Sequence, residues 1–182
     1  MCSSDLTNGT RTQIVDLNDP KTKPAGWDAT VKPNLDRIAD SSIYELHVRD
    51  FSVIDKTVPA AARGTFGAFT YTRSNGMRHL AALAKAGMTH VHLLPVFDFA
   101  TVDENKADWA SPDMADLASM DASSDEQQSY VAETKSEDAY NWGYDPQHFT
   151  APEGSYAKAP IDRKSTRLNS SHVSESRMPS SA

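Results

Sequence analysis

The sequence predicts an α/β fold, and three neighbouring stretches carry that expectation. Residues 43–51 alternate, with Tyr44, Leu46 and Val48 on one face and Ile43, Glu45, His47 and Arg49 on the other, which is the period of a β-strand. Ser74 opens an amphipathic helix whose apolar stripe is Met77, Leu80, Leu83 and Ala84, and Gly87 closes it. Thr89-His90-Val91-His92-Leu93-Leu94-Pro95-Val96-Phe97 then forms an apolar run of strand length. Strand, helix and strand in this order make a βαβ unit, whose crossover forces the two strands parallel. The apolar second strand predicts a sheet covered on both faces. One such unit fits a closed barrel and an open doubly wound sheet alike. In a barrel the charged face of the first strand points inward, whereas on an open edge it is solvated.

The totals bound the function. With 182 residues and 38% hydrophobic content, the chain supports one modest core. A net charge of -7 argues against a nucleic-acid partner, because phosphate binding needs a concentrated basic surface. A neutral ligand fits better. Cys2 has no second cysteine to pair with, so no disulfide framework forms. No apolar run approaches the length of a membrane span. A parent protein secreted or held at the cell surface would need an address that this segment does not carry.

Along the chain, residues 163–182 are serine-rich, basic and without hydrophobic periodicity, the composition of a disordered tail. They resemble translated sequencing-adapter read-through, and residues 1–6 look like its counterpart, so Asn169-Ser170-Ser171 is not read as a glycosylation site. Residues 7–40 hold a short strand-like run, Gln13-Ile14-Val15-Asp16-Leu17, then a stretch broken at Pro20, Pro24, Gly26 and Pro33. That pattern is a linker or the edge of a preceding module, with Trp27 as its anchor. The informative domain spans 41–162. Within it, residues 58–71 mix Pro59, Gly64 and Gly67 with Phe66, Phe69 and Tyr71, a loop expected to dock its aromatics on a neighbour. The acidic segment from Asp98 to Asp138 is expected to hold two short helices. Ser111-Pro112-Asp113 starts one, with Met114, Leu117 and Met120 on one side, and a capping box at Ser124 to Gln127 starts the other. Its acids lack the turn glycine of a calcium loop and read as a solvated face.

The stretch with the most binding chemistry is Tyr140-Asn141-Trp142-Gly143-Tyr144-Asp145-Pro146. Planar rings stack on sugars or bases, and an amide with a carboxylate fixes orientation. Gly143 allows a turn, and Pro146 biases Asp145 toward an extended backbone. An aromatic plug beneath a loop is the equally weighted structural reading.

Ile43-Tyr44-Glu45-Leu46-His47-Val48-Arg49-Asp50-Phe51-Ser52, Gly76-Met77-Arg78-His79-Leu80, His92-Leu93-Leu94-Pro95-Val96-Phe97-Asp98, the heptapeptide 140–146 and Pro152-Glu153-Gly154-Ser155-Tyr156 together resemble the start of the catalytic domain of type I pullulanases. These are debranching enzymes of the α-amylase superfamily. The resemblance implies an incomplete (β/α)8 TIM barrel, comprising the first two strands and the crossover helix. It also implies, for 12–33, the junction with a starch-binding β-sandwich module. The implied chemistry is retaining hydrolysis of α-1,6-glucosidic branch linkages in pullulan, starch or glycogen dextrins. The family's nucleophile and acid have no counterpart among these residues, so no catalytic residue is assigned and the chain is expected to be inactive alone. The resemblance carries over Tyr144 as the ring that stacks on glucose and Asp145 as a sugar-contacting carboxylate, with Trp142 and Asn141 as loop supports. The partner implied is a branched α-glucan. No cofactor is needed for the chemistry, and structural calcium stays open for a full-length parent.

Rival readings are a non-catalytic glucan-binding module, an isoamylase or branching-enzyme relative, and a metal-dependent barrel hydrolase using His90 and His92. An H-x-H pair puts two imidazoles on one strand face. Both histidines, however, sit at the start of the strand, whereas parallel α/β proteins build sites at the carboxyl ends, here beyond Pro95. His47 is expected to be hydrogen-bonded within the barrel, and His79 to be exposed on the helix.

Overall fold

The structure, a computed structural model, describes residues 26–31 and 34–158. Cys2, the strand-like run 13–17, Pro20, Pro24, Pro33 and the two adapter-like ends lie outside the described residues. Trp27 is half-buried in a 3-10 turn, Trp27–Ala29.

Strand β1 is Ile43–Leu46, helix α1 is Asn75–Lys85 and strand β2 is His90–Leu93. The strands pair in parallel, with Ile43 opposite His90 and Leu46 opposite Leu93, so the βαβ unit forms as the sequence predicts. β1 is shorter than 43–51, because the chain enters turns after His47, where Phe51 N–H donates to His47 O at 3.0 Å. Ser74 caps α1 by accepting from Met77 N–H at 3.3 Å. Gly87, at φ +100°, follows its last turn. A further N-terminal donor of α1 is met from a distance: Asn75 N–H reaches Asp55 Oδ2 at 3.1 Å and Thr57 Oγ1 at 2.9 Å. These caps answer the unpaired N–H groups that every helix start leaves.

Burial departs from the pattern. Met77, Leu80 and Leu83 are only half-buried and Ala84 is exposed, so α1 contributes no fully buried residue. β2 is likewise half-exposed rather than covered on both faces. The reason is that α1 covers one face of a two-stranded sheet and leaves an apolar cleft of about 130 Å³, lined by Tyr44, Leu80, Leu83, Met88 and Val91. His79 is exposed, with its ring 5.5 Å from that of Tyr44.

The apolar run 89–97 is two strands, not one. β2 ends at Leu93, and strand β3, Phe97–Phe99, joins a second sheet. Pro95 offers no N–H to a ladder and restricts Leu94, so the run breaks between them. The partner of β3 is β4, Pro146–Pro152, an antiparallel strand absent from the sequence expectation. Its alternation is broken by irregular register on both sides of Asp98, which hides a period-2 signal.

In the acidic segment, helices α2, Met114–Ser119, and α3, Glu126–Thr134, form as expected. Asp113 caps α2 by accepting from Ala115 N–H at 2.7 Å. Met114 is 72% exposed, so the apolar side of α2 is not wholly covered. The capping box of α3 does not close, because Gln127 turns its amide to Leu117 O at 3.3 Å.

Most core residues lie outside the regular elements. Val48, Phe66, Phe99, Val102 and Tyr156 form one cluster, and Val58, Ala62 and Ala68 a second. The loop 58–71 docks its aromatics as expected: Phe66 is buried and Phe69 stacks on Phe51 at 4.3 Å between ring centroids.

Candidate functional site

The heptapeptide 140–146 is held by the residues that directly follow β1 and β2, that is, by the carboxyl end of the parallel pair. His47, one residue past β1, puts Nε2 2.8 Å from Asn141 O. Facing a carbonyl, that nitrogen must carry the proton. Nδ1 then accepts from Asp50 N–H at 3.4 Å, and the expectation of a hydrogen-bonded His47 is met. Past β2, Pro95 lies under Gly143, where a Cβ would stand 2.8 Å from Pro95 O and 2.9 Å from its Cβ. Gly143 also has φ +85°, so both backbone conformation and close approach require glycine.

Within the loop, Asn141 Oδ1 accepts from Gly143 N–H at 2.6 Å. Its Nδ2 donates to Thr101 Oγ1 and, at 3.2 Å, to Asp145 Oδ2. Asn141 thus organises the turn. Asp145 Oδ2 also accepts from Thr101 Oγ1 at 3.1 Å. Its Oδ1 is enclosed and has no hydrogen-bond partner among the described residues. Tyr140 is half-buried between His47, 5.3 Å between ring centroids, and the Arg49 guanidinium, 5.6 Å from its centroid. Burial raises the Tyr140 pKa from its ordinary value. Trp142 and Tyr144 stand out, 59% and 68% exposed. Trp142 touches the edge of Tyr140 at 5.5 Å. The loop therefore has a half-buried part, Tyr140 and Asn141, and an open aromatic part, Trp142 and Tyr144.

A second group of residues supports the site from below. Glu153 is buried, with Oε2 accepting from Phe99 N–H at 3.0 Å and Oε1 from Ser155 N–H at 2.8 Å. Burial pushes its carboxyl up to about 7. Asp98, also buried, pairs with His148. Tyr156 brings its hydroxyl to 2.9 Å from His47 Nε2, and burial raises its pKa. Sequence patterning gives no sign of Glu153 or Asp98 as buried acids, because a single carboxylate in or just beyond short strands of irregular register carries no burial period.

His90 and His92 do not converge on a common ligand position. His90 Nδ1 contacts Thr89 Oγ1 at 2.8 Å, and His92 Nδ1 contacts Glu45 Oε2 at 2.9 Å. Among the described residues no group of three or more His, Cys, Asp or Glu side chains is placed to hold a metal ion. No described helix is long and apolar enough to cross a membrane.

Comparison with known proteins finds pullulanases. The chain is 46% identical over 155 residues to chloroplastic pullulanase 1 of Arabidopsis thaliana, covering 84% of this chain and 16% of that protein. It is homologous to a segment of the pullulanases. The pullulanase of Klebsiella aerogenes is 38% identical over 193 residues, covering 85% of this chain and 17% of the relative. This chain thus spans less than a fifth of these two pullulanases. The crystal structure of Klebsiella pneumoniae pullulanase complexed with maltotriose superimposes with a TM-score of 0.77 at 34% identity, over 90% of this chain and 19% of that one. Paenibacillus barengoltzii pullulanase, complexed with maltohexaose and alpha-cyclodextrin, gives 0.62 at 34% identity over 90% of this chain and 22% of that one. No family model matches the chain. The relatives and solved structures that the chain matches over most of its length are pullulanases.

Proposed function

We propose that the chain supplies one wall of the glucan-binding site of a pullulanase-type enzyme that cleaves α-1,6-glucosidic branch linkages. The observation that carries this reading is the loop itself: two open rings, Trp142 and Tyr144, set over the residues that follow two parallel strands. Such a face offers stacking area to a pyranose ring with little loss of side-chain freedom. Tyr144 is the stacking ring. Asp145 is the polar contact beside it, its carboxylate held by Thr101 and Asn141. Trp142 widens the apolar surface, and Asn141 holds the turn. That Klebsiella pneumoniae pullulanase was crystallised with maltotriose supports a glucan ligand.

In this reading β1, α1 and β2 are the first strand, helix and strand of a (β/α)8 barrel, residues 41–162 belong to it, and 7–40 lead in from a starch-binding module. The carboxylates of a retaining double displacement come from barrel segments that this chain does not contain. The chain alone therefore binds glucan without hydrolysing it.

Two measurements test the proposal. Calorimetric titration with maltotriose should show binding, and Tyr144→Ala should weaken it on the order of tenfold, as loss of a stacking ring does. Because Tyr144 is exposed, the same substitution should leave the thermal midpoint in place. Equal affinity in the variant would sink the role of Tyr144. Release of reducing ends from pullulan by the purified chain would falsify the absence of catalytic groups.

A further inference from the structure

We propose that His47, backed by Tyr156, is the positioning residue of this loop, transmitting the geometry of the core to the sugar-facing rings. The role in sugar binding rests on the reading of 140–146 as a glucan wall. The mechanical part does not.

The chain of contacts is continuous. Tyr156 is 3% exposed, and its ring stands edge-on to Phe66 and Phe99 at 5.6 and 5.7 Å between centroids. Its carbonyl accepts from Phe66 N–H at 2.8 Å, so backbone and ring are both fixed in the core. Its hydroxyl meets His47 Nε2 at 2.9 Å, and the same nitrogen meets Asn141 O at 2.8 Å. One N–H serves both oxygens as a shared donor, which fixes Tyr156 Oη as an acceptor there. His47 is itself immobile: it is 7% exposed, Asp50 N–H occupies Nδ1, and the rings of Tyr140 and Tyr156 lie against it.

Asn141 is therefore pinned through its backbone carbonyl, and Trp142 and Tyr144 follow it in sequence. The other hydrogen bonds of the loop are made within it, to Asp138 just before it, or to the exposed stretch at Ala100 and Thr101: Tyr140 N–H to Asp138 Oδ1 at 2.7 Å, Ala100 N–H to Asp145 O at 3.3 Å, and the Thr101 contacts. Those bonds set the shape of the loop. The His47 bond ties that shape to the end of β1 and to the core, and site geometry is sensitive to shifts of about an ångström. Leaving the Asn141 carbonyl without its donor would also cost the loop a part-buried hydrogen bond.

The test uses the full chain, labelled with nitrogen-15, and maltotriose as the probe. Long-range nitrogen spectra should show the His47 ring protonated at Nε2, and an Nδ1-protonated ring would overturn the inference. His47→Leu should shift the backbone amides of 141–145, leave those of α1 in place, and weaken maltotriose on the order of tenfold. His47→Gln carries an amide donor that reaches the same carbonyl, and should restore the amide pattern and most of the affinity. A Gln variant as impaired as the Leu variant would reduce His47 to a filler of space and overturn the proposal. Should the Leu variant fail to fold, Tyr156→Phe removes the hydroxyl alone, and unmoved loop amides there would sink the relay from the core. If the loop amides respond as stated but the wild-type chain binds no maltotriose, the glucan wall falls and the positioning stands. If maltotriose binds equally to wild type and His47→Leu, the positioning falls and the glucan wall stands.

Discussion

The βαβ unit and the loops beyond its strands differ in where they keep their burial. The unit has the regular periods, yet α1 buries no residue fully and Ile43 of β1 is 60% exposed. The loops have no period, yet they hold Val48, Val58, Phe66, Val102 and Tyr156, each at 3% exposure or less. They also bury polar groups whose partners are in place: Ser52 Oγ accepts from Gly64 N–H at 2.9 Å, and Thr65 Oγ1 donates to Ala62 O at 2.8 Å. Buried polar groups that are satisfied make irregular backbone specific rather than soft. The site thus rests on a core built from loops, and the regular elements serve as its platform.

The sharpest way to break that comparison is to remove one apolar side chain from each region. Phe66→Ala should cost about 3–5 kcal/mol, because a ring at 1% exposure leaves a cavity with few ways to collapse. Leu83→Ala, on the half-buried stripe of α1, should cost about 1 kcal/mol, in proportion to the smaller area it covers. Urea unfolding followed by circular dichroism checks both, and equal losses would erase the distinction between core and platform.

A smaller effect is confined to the loop side. The Glu153 carboxyl is raised from 4.5 to about 7 by burial, against the Ser155 side chain and the N–H groups of Phe99 and Ser155 that pull it down, with Asp98 adding repulsion. A carboxyl raised on folding binds its proton more tightly in the native chain than in the unfolded one. Stability therefore falls as pH rises from about 4.5 to 7, by up to about 3 kcal/mol for this group. Glu153→Gln should flatten that part of the profile. It should also lower the plateau, since an amide can accept from only one of Phe99 and Ser155 and turns its NH2 toward the other. Thermal midpoints at half-unit pH steps read both, and an unchanged slope in the variant would place the pH dependence elsewhere.

Legibility in the sequence follows the same division. The strand–helix–strand order, the Ser74 cap, the parallel pairing and the docking of Phe66 and Phe69 follow from period, cap chemistry and composition, which are local signals. The heptapeptide stands out by composition too, as does the need for glycine at 143. What the sequence does not show is set by distant contacts. Asp55 and Thr57 meet the α1 terminus across about twenty residues. β4 pairs through an irregular register, and Glu153 is buried only because β3 and the 153–157 turn close over it. The stripe of α1 is less buried than expected because periodicity shows which face is apolar and not whether anything covers it.

Two glycines bring the comparison down to a single methyl group. Gly87, after α1, has φ +100° and no atom within 4 Å of where a Cβ would stand. Gly143 has φ +85°, and there a Cβ would stand 2.8 Å from Pro95 O. Alanine at 87 should cost about 1 kcal/mol, the conformational penalty alone. Alanine at 143 meets the same penalty and adds a contact that only movement of the 140–146 loop or of Pro95 can relieve, so about 2–3 kcal/mol is expected. Maltotriose affinity separates the two further: Gly87→Ala should leave it unchanged, and Gly143→Ala should weaken it because the displaced segment carries Trp142 and Tyr144. Equal costs in urea unfolding would mean that Pro95 yields freely, and that the loop is not seated on the end of β2 as firmly as on the end of β1.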